Sequence, residues 1–217
     1  MLKSIFIEFI SQITLLLATE LPGKGAHQKM ESEFRHKTGQ IWDDAKAKQS
    51  AVLILLYPNE TGEICTVFTL KQSGIGLHSN QISLPGGRFE QEDGTLQNTA
   101  LRESYEEIGV LPSSVTVIGR LSQLIIPRSQ FVVNPFVGYT LTKPDFKIQE
   151  NEVAELYEVR IDDFYRQSNK SSFQIHDEQG KSFHAPSYQV NNRHLWGATA
   201  MIMAEMEEVL RVGGLIS

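Results

Sequence analysis

Gly86-Gly87-Arg88-Phe89-Glu90-Gln91-Glu92-Asp93-Gly94 leads through Thr95 into Ala100-Leu101-Arg102-Glu103-Ser104-Tyr105-Glu106-Glu107-Ile108-Gly109-Val110. Thr95 is a predicted N-cap, because its hydroxyl can accept from a free N–H of the first turn. Gly109 is the predicted stop, since glycine takes the left-handed conformation that ends a helix. Between them the spacing predicts a helix with Leu101, Tyr105 and Ile108 on its buried face. Glu103, Glu106 and Glu107 stand three and four residues apart, so they project from one side.

Three carboxylates in so small a volume raise one another's proton affinity and loosen the helix unless cations fill the space between them. Hard divalent ions suit all-oxygen ligands, which points to Mg2+ or Mn2+ with Glu103, Glu106 and Glu107 as ligands. Arg102, next to Glu103 and four residues before Glu106, is placed to orient a carboxylate. Gly86 and Gly87 lack side chains, so the loop can bring a backbone carbonyl to the same metals, with Gly86 the candidate. A Glu-rich helix taken alone is a solvated face. The fixed order of Pro-Gly-Gly, acidic loop, Arg-Glu, Glu-Glu and Gly-Val favours a site.

Upstream, Ala51 to Tyr57 and Ile64 to Leu70 are apolar, β-branched runs separated by Pro58-Asn59-Glu60-Thr61-Gly62, the pattern of a hairpin. A Gly/Ser-rich loop from Gln72 to Asn80 and an apolar step at Ile82 to Leu84 follow. Downstream, strands are expected at Val115 to Leu121, Phe131 to Leu141, Val153 to Val159 and Phe183 to Val190. Helices are expected at Ile161 to Arg166 and Trp196 to Val212. Strands interspersed with helices imply an α/β class, a mixed sheet covered by helices. At the start of the chain, Leu2, Phe6, Phe9, Ile13, Leu16 and Leu17 make a helical stripe, and Leu21-Pro22-Gly23-Lys24-Gly25 reads as a turn-rich break. A single domain is expected, with an N-terminal helix and extension over 1–50 and a core over about 51–212.

The formal net charge of -6 over 217 residues argues against a nucleic-acid polymer as partner. A small polyanion held by a local cluster of cations is compatible with it. The one cysteine, Cys65, excludes an internal disulfide and a Cys-rich zinc site, and His176, His184 and His194 are too scattered for zinc ligation. Phe131 to Tyr139 reads as sheet core rather than a platform for stacking bases. Glu8, Ser11 and Gln12 interrupt the first apolar run, so neither a secretory signal nor a membrane span is expected. The expected compartment is the cytoplasm. A homodimer is one use for the apolar first helix.

Gly87 through Val110 resembles the Nudix box, a loop-helix-loop site framed by glycine, an Arg-Glu-x-x-Glu-Glu core and a closing glycine. The loop is one residue longer here, so Asp93 or Glu92 takes the place of the usual glutamate before the arginine. That longer loop, and Thr69-Leu70-Lys71 to His78-Ser79-Asn80-Gln81-Ile82-Ser83-Leu84-Pro85, is similar to the coenzyme A pyrophosphatase branch. Lys71, Gly76 and Asn80 depart from that branch's signature. The stretches Leu21 to Met30 and Trp196 to Ala200 also resemble its flanks. The resemblance implies a Nudix-type α/β/α sandwich and a nucleotide-containing small-molecule substrate. It implies that Glu103, Glu106, Glu107 and the Gly86 carbonyl hold metal, and that Glu103 or Glu152 is the catalytic base. Lys71, His78 and Gln81 would contact substrate, Lys71 through a phosphate. The expected reaction turns coenzyme A or an acyl derivative into 3',5'-ADP and a 4'-phosphopantetheine product. The alternatives are an ADP-ribose or other nucleoside diphosphate derivative pyrophosphatase, and a Nudix-fold binding or regulatory module without catalysis.

Overall fold

The structure, a computed structural model, describes residues 2–33, 35, 42–72, 81–176 and 179–216. At its centre β1 (Lys48–Pro58) runs parallel to β7 (Phe131–Tyr139), in register from Lys48 opposite Phe131 to Leu56 opposite Tyr139. The expected hairpin is present: β1 turns into antiparallel β2 (Ile64–Lys71), with Tyr57 opposite Cys65. On the same side of β1, nearer its start, β4 (Gly86–Arg88) pairs antiparallel and sets Val52 opposite Gly86. The short β3 (Ile82–Ser83) and β8 (Val153–Arg160) flank β2, while β5 (Thr116–Arg120) and β6 (Leu124–Ile126) pair with β7.

The burial of β1 shows why this sheet needs helices on both faces. Ala51, Leu53, Leu55 and Tyr57 pack with Val67, Ala100 and Ile108, on the side covered by α3 (Leu96–Ile108). Ile54 and Leu56 pack with Phe6 and Ile13 of α1 (Leu2–Leu17) and with Met206 and Leu210 of α5 (Gly197–Val212). Alternation along the strand sends successive side chains to opposite faces, so one apolar run builds two cores. The result is the expected α/β/α layering. Each fully buried Leu or Ile stabilises the fold by about 1.5–3 kcal/mol.

Several local expectations are corrected. The break at Leu21 to Gly25 contains a short α2 (Lys24–Gln28), entered through Gly23 at φ 55. The polar segment before the last helix is a three-stranded antiparallel sheet of β9 (Lys170–His176), β10 (Ser182–Val190) and β11 (Arg193–Trp196). Asn191 and Asn192, at φ 48 and 61, supply the tight turn between β10 and β11. The helix expected over Ile161 to Arg166 closes early as α4 (Ile161–Phe164). No helix among the described residues is long and apolar enough to cross a membrane. Cys65 is buried as a free thiol.

Candidate active site

The first glycine is a steric requirement of the backbone, and the second leaves room for the Glu103 carboxylate. Gly86 sits at φ 150, and a Cβ there would lie 2.4 Å from the Ala51 carbonyl oxygen of β1. A Cβ on Gly87 would lie 2.4 Å from the carboxyl carbon of Glu103. The loop thus closes directly onto the helix. Beyond it a one-turn 3-10 segment, Gln91–Asp93, is pinned by the Glu90 N–H donating to Asp93 Oδ2 at 3.0 Å. The expected caps of α3 hold: Asn98 N–H donates to Thr95 Oγ1 at 3.2 Å, and Gly109 is left-handed at φ 74.

The buried face of α3 differs from the expected one. Tyr105 is 49% exposed and Leu101 half-buried, while Ala100, Ser104, Glu107 and Ile108 face the sheet. That set follows the i, i+4, i+7, i+8 stripe of a helix packed on one side, and it carries a glutamate inward. The three carboxylates therefore occupy three environments. Glu106 is exposed, Glu103 is half-buried beneath Gly87, and Glu107 is 1% exposed.

Arg102 ties the loop to the helix. Its Nε donates to Asp93 Oδ1 at 2.7 Å and its Nη2 to Asp93 Oδ2 at 3.1 Å. Nη1 donates to Glu106 Oε2 at 2.8 Å, and Nη2 lies 3.0 Å from Glu103 Oε1 and donates to the Arg88 carbonyl at 3.1 Å. Asp93, buried, also accepts from Thr99 Oγ1 at 2.8 Å, whereas Glu92 is exposed. Of the two residues left open by the sequence, Asp93 is the one that meets the arginine. The paired bonds from Arg102 hold the Asp93 carboxyl well below the usual carboxylate range.

Burial pushes the Glu107 carboxyl up to about 7, against the pull of the nearby Lys71 ammonium. Lys71 Nζ donates to Glu107 Oε1, while Glu107 Oε2 is buried without a hydrogen-bond partner among the described residues. Burial also raises Glu103, opposed by Arg102 and assisted by Glu106. As the side chains stand, no three acidic, histidine or cysteine groups among the described residues converge as a metal-ligand set. Arg102 and Lys71 occupy the spaces between them. The donor chemistry nonetheless fits a hard divalent cation: the set is all oxygen, and the unpartnered Glu107 Oε2 is a buried acceptor that a cation would satisfy.

The site opens into a cleft of about 710 Å³. Lys71, Gln81, Gly86 and Gly87 line it, as do Arg88, Arg35 and Arg128. Ile126, Phe131, Ile175 and Trp196 give the cleft an apolar wall. Phe131, expected as sheet core, is thus half-buried at the cleft, while Val132, Val133 and Val137 of the same strand are core. Glu152 is brought near only through backbone: its carbonyl accepts from Gln72 N–H at 2.8 Å, and its exposed side chain bonds none of the α3 carboxylates. His78 lies outside the described residues. Sequence reasoning gave no role to Arg35, Arg88 or Arg128, and marked Trp196 only within the flanking stretch Trp196 to Ala200. Of the three arginines, Arg88 carried a usable signal, because it adjoins the double glycine.

The NUDIX domain family matches residues 47–178. The chain is 31% identical over 173 residues to Nudix hydrolase 15, mitochondrial, of Arabidopsis thaliana, covering 77% of this chain and 60% of that protein. It is 31% identical over 160 residues to the Nudix hydrolase NudL of Pectobacterium atrosepticum, covering 73% of this chain and 81% of that one. A MutT/nudix family protein from Enterococcus faecalis has a similar fold, with a TM-score of 0.55 at 13% identity over 87% of this chain and 73% of that one. The loop, the capped helix and the Arg102 carboxylate cluster thus lie inside a matched family segment, and the chain is a member of the Nudix hydrolase family.

Proposed function

We propose that this chain hydrolyses the pyrophosphate bond of coenzyme A or an acyl-coenzyme A, giving 3',5'-ADP and a 4'-phosphopantetheine product, with Mg2+ or Mn2+ as cofactor. The carrying observation is the cleft: Lys71 and Gly87, which touch Glu107 and Glu103 of the carboxylate helix, line it together with Arg88, Arg128 and Arg35 and with the apolar Phe131 and Trp196. A substrate with a pyrophosphate, a further phosphate and a long weakly polar arm suits a cleft lined by both cationic and apolar side chains. In this reading Glu103, Glu106, Glu107 and the Gly86 carbonyl hold the metal. When bound, the metal offsets charge on the phosphoryl oxygens and lowers the pKa of a water. Arg102 keeps the carboxylates in place. Lys71 and Gln81 meet the substrate within the cleft, and His78 belongs to the same signature. The proton of the attacking water goes to Glu103 or Glu152, and the half-buried seat of Glu103 beneath Gly87 favours Glu103.

The reading also keeps the chain as one domain with its core over about 51–212, active in the cytoplasm and paired as a homodimer, which light scattering in solution would test. The deciding experiment compares coenzyme A, acetyl coenzyme A, ADP-ribose and a nucleoside triphosphate with Mg2+ or Mn2+, identifying products by mass. Release of 3',5'-ADP from coenzyme A in preference to the others is the expected result. Preference for ADP-ribose would overturn the substrate and keep the reaction. Silence on all four with bound nucleotide would favour a binding module.

A further inference from the structure

Lys71 ends β2 at an irregularity in the pairing with β8, where the register shifts between Leu70 and Lys71. Such a shift re-aims a side chain, and here the backbone is locked on both sides of it. Lys71 N–H donates to the Gln81 carbonyl at 3.1 Å, and Gln72 N–H to the Glu152 carbonyl at 2.8 Å. The ammonium reaches Glu107 Oε1 on the buried face of α3, and the rest of the side chain lines the cleft. Glu107 is 1% exposed, so the ion pair supplies the counter-charge that water cannot reach. The other oxygen of the same carboxylate has no hydrogen-bond partner among the described residues.

We propose that Lys71 is a resident counter-ion for Glu107, displaced when a divalent metal arrives, and that its released ammonium swings into the cleft to meet a substrate phosphate. The inference rests on the reading of Glu107 as a metal ligand. A divalent ion and an ammonium on the two oxygens of one buried carboxylate are like charges held within a few ångströms, where little solvent screens them. The stronger cation takes the site. Lys71 has a short path, because its side chain already borders the cleft. Metal binding and phosphate binding are then coupled through one side chain, and the coupling is reciprocal. Lys71 has two roles in this scheme: it positions Glu107 inward in the metal-free protein and binds the anion directly in the loaded one.

The test uses the full chain and two readouts other than turnover. Mn2+ binding is measured by calorimetry, and the reactivity of each lysine toward an amine-acylating reagent is read by mass spectrometry without and with Mn2+. Labelling of Lys71 is expected to rise severalfold on Mn2+ binding, while Lys143, paired with Glu158 at 2.8 Å, stays constant. The Lys71→Met variant is expected to melt lower without metal and to bind Mn2+ about tenfold more tightly, because nothing has to be displaced. Tight Mn2+ binding with Lys71 labelling unchanged or reduced would overturn the exchange while leaving the metal site standing. Absence of Mn2+ binding by the wild-type chain would overturn both. Should Lys71→Met fail to fold, the wild-type labelling decides alone.

Discussion

The backbone of Gly87 and the carboxylate of Glu103 occupy adjoining space so closely that a single added methyl on Gly87 would stand 2.4 Å from the Glu103 carboxyl carbon. Gly87→Ala is therefore expected to push Glu103 aside and cost about 100-fold or more in turnover, a loss typical of a misplaced catalytic group. Thermal stability should change far less than activity, since Arg88 remains paired to β1. Near wild-type turnover in a folded Gly87→Ala protein would remove Glu103 from the site.

Asp93 is predicted to matter chiefly as the anchor of Arg102. Asp93→Ala removes two bonds from Arg102, one from Thr99 and one from the Glu90 N–H. A loss of about 2–3 kcal/mol is expected, read by urea denaturation, together with weaker metal binding as Glu103 and Glu106 lose their anchor. Unchanged stability would mean that the buried pair contributes nothing net.

Glu106→Gln and Glu107→Gln should each abolish most turnover and weaken metal binding while the fold persists. The two differ in stability. Glu106 is solvent-exposed, so its neutralisation is nearly silent, whereas Glu107→Gln unpairs the Lys71 ammonium within the site. Two fully active variants would sink the proposed metal site.

Proton release should accompany metal binding. Burial holds the Glu107 proton up to about pH 7, so near neutrality a fraction of the protein carries that proton and metal must displace it. Metal affinity is expected to rise as pH increases from about 6 to about 8. Calorimetry in buffers of differing ionisation heat would measure the protons released, and a pH-independent affinity would contradict the assignment.

Acid stability should depend on Glu205. This carboxylate of α5 is fully buried and accepts from Gly23 N–H at 2.9 Å, His27 Nε2 at 3.0 Å and Ser122 N–H at 3.1 Å. Burial alone would raise it, but the bonds from His27 and Ser122 outweigh that and bring it below its ordinary value of 4.5. A carboxyl lowered on folding adds stability that is present above the unfolded value and disappears as pH falls through the folded one. Glu205→Gln should thus melt lower than wild type at pH 7, with the gap closing below about pH 4. An equal gap at both pH values would assign the loss to packing.

The layered fold was legible because β1 carries apolar residues to both faces, and the capped helix was legible because Thr95 and Gly109 are strong punctuation. The inward turn of Glu107 was not. A charged residue at the end of a Glu pair reads as solvated, and only the packing of Ala100, Ser104 and Ile108 against the sheet carries it inward. β9 and β11 were missed because Lys170-Ser171-Ser172-Phe173-Gln174-Ile175-His176 and Arg193-His194-Leu195-Trp196 are half polar. Their partner is β10, not an apolar layer that periodicity would reveal. The cleft's arginines and Trp196 come from segments far apart in sequence, and no local pattern joins them.

β1 works as a ruler for the whole molecule. Its odd-numbered residues from Ala51 to Tyr57 meet the carboxylate helix, its even-numbered Ile54 and Leu56 meet the terminal helices, and its Val52 fixes the height of Gly86. A one-residue deletion within Leu53 to Leu55 would exchange the two faces beyond it and shift the glycine loop relative to the hairpin. Length variation is consequently expected to accumulate away from this strand, for instance in the exposed stretch around Thr142 to Asp145 that follows β7, where added residues move neither ruler nor site.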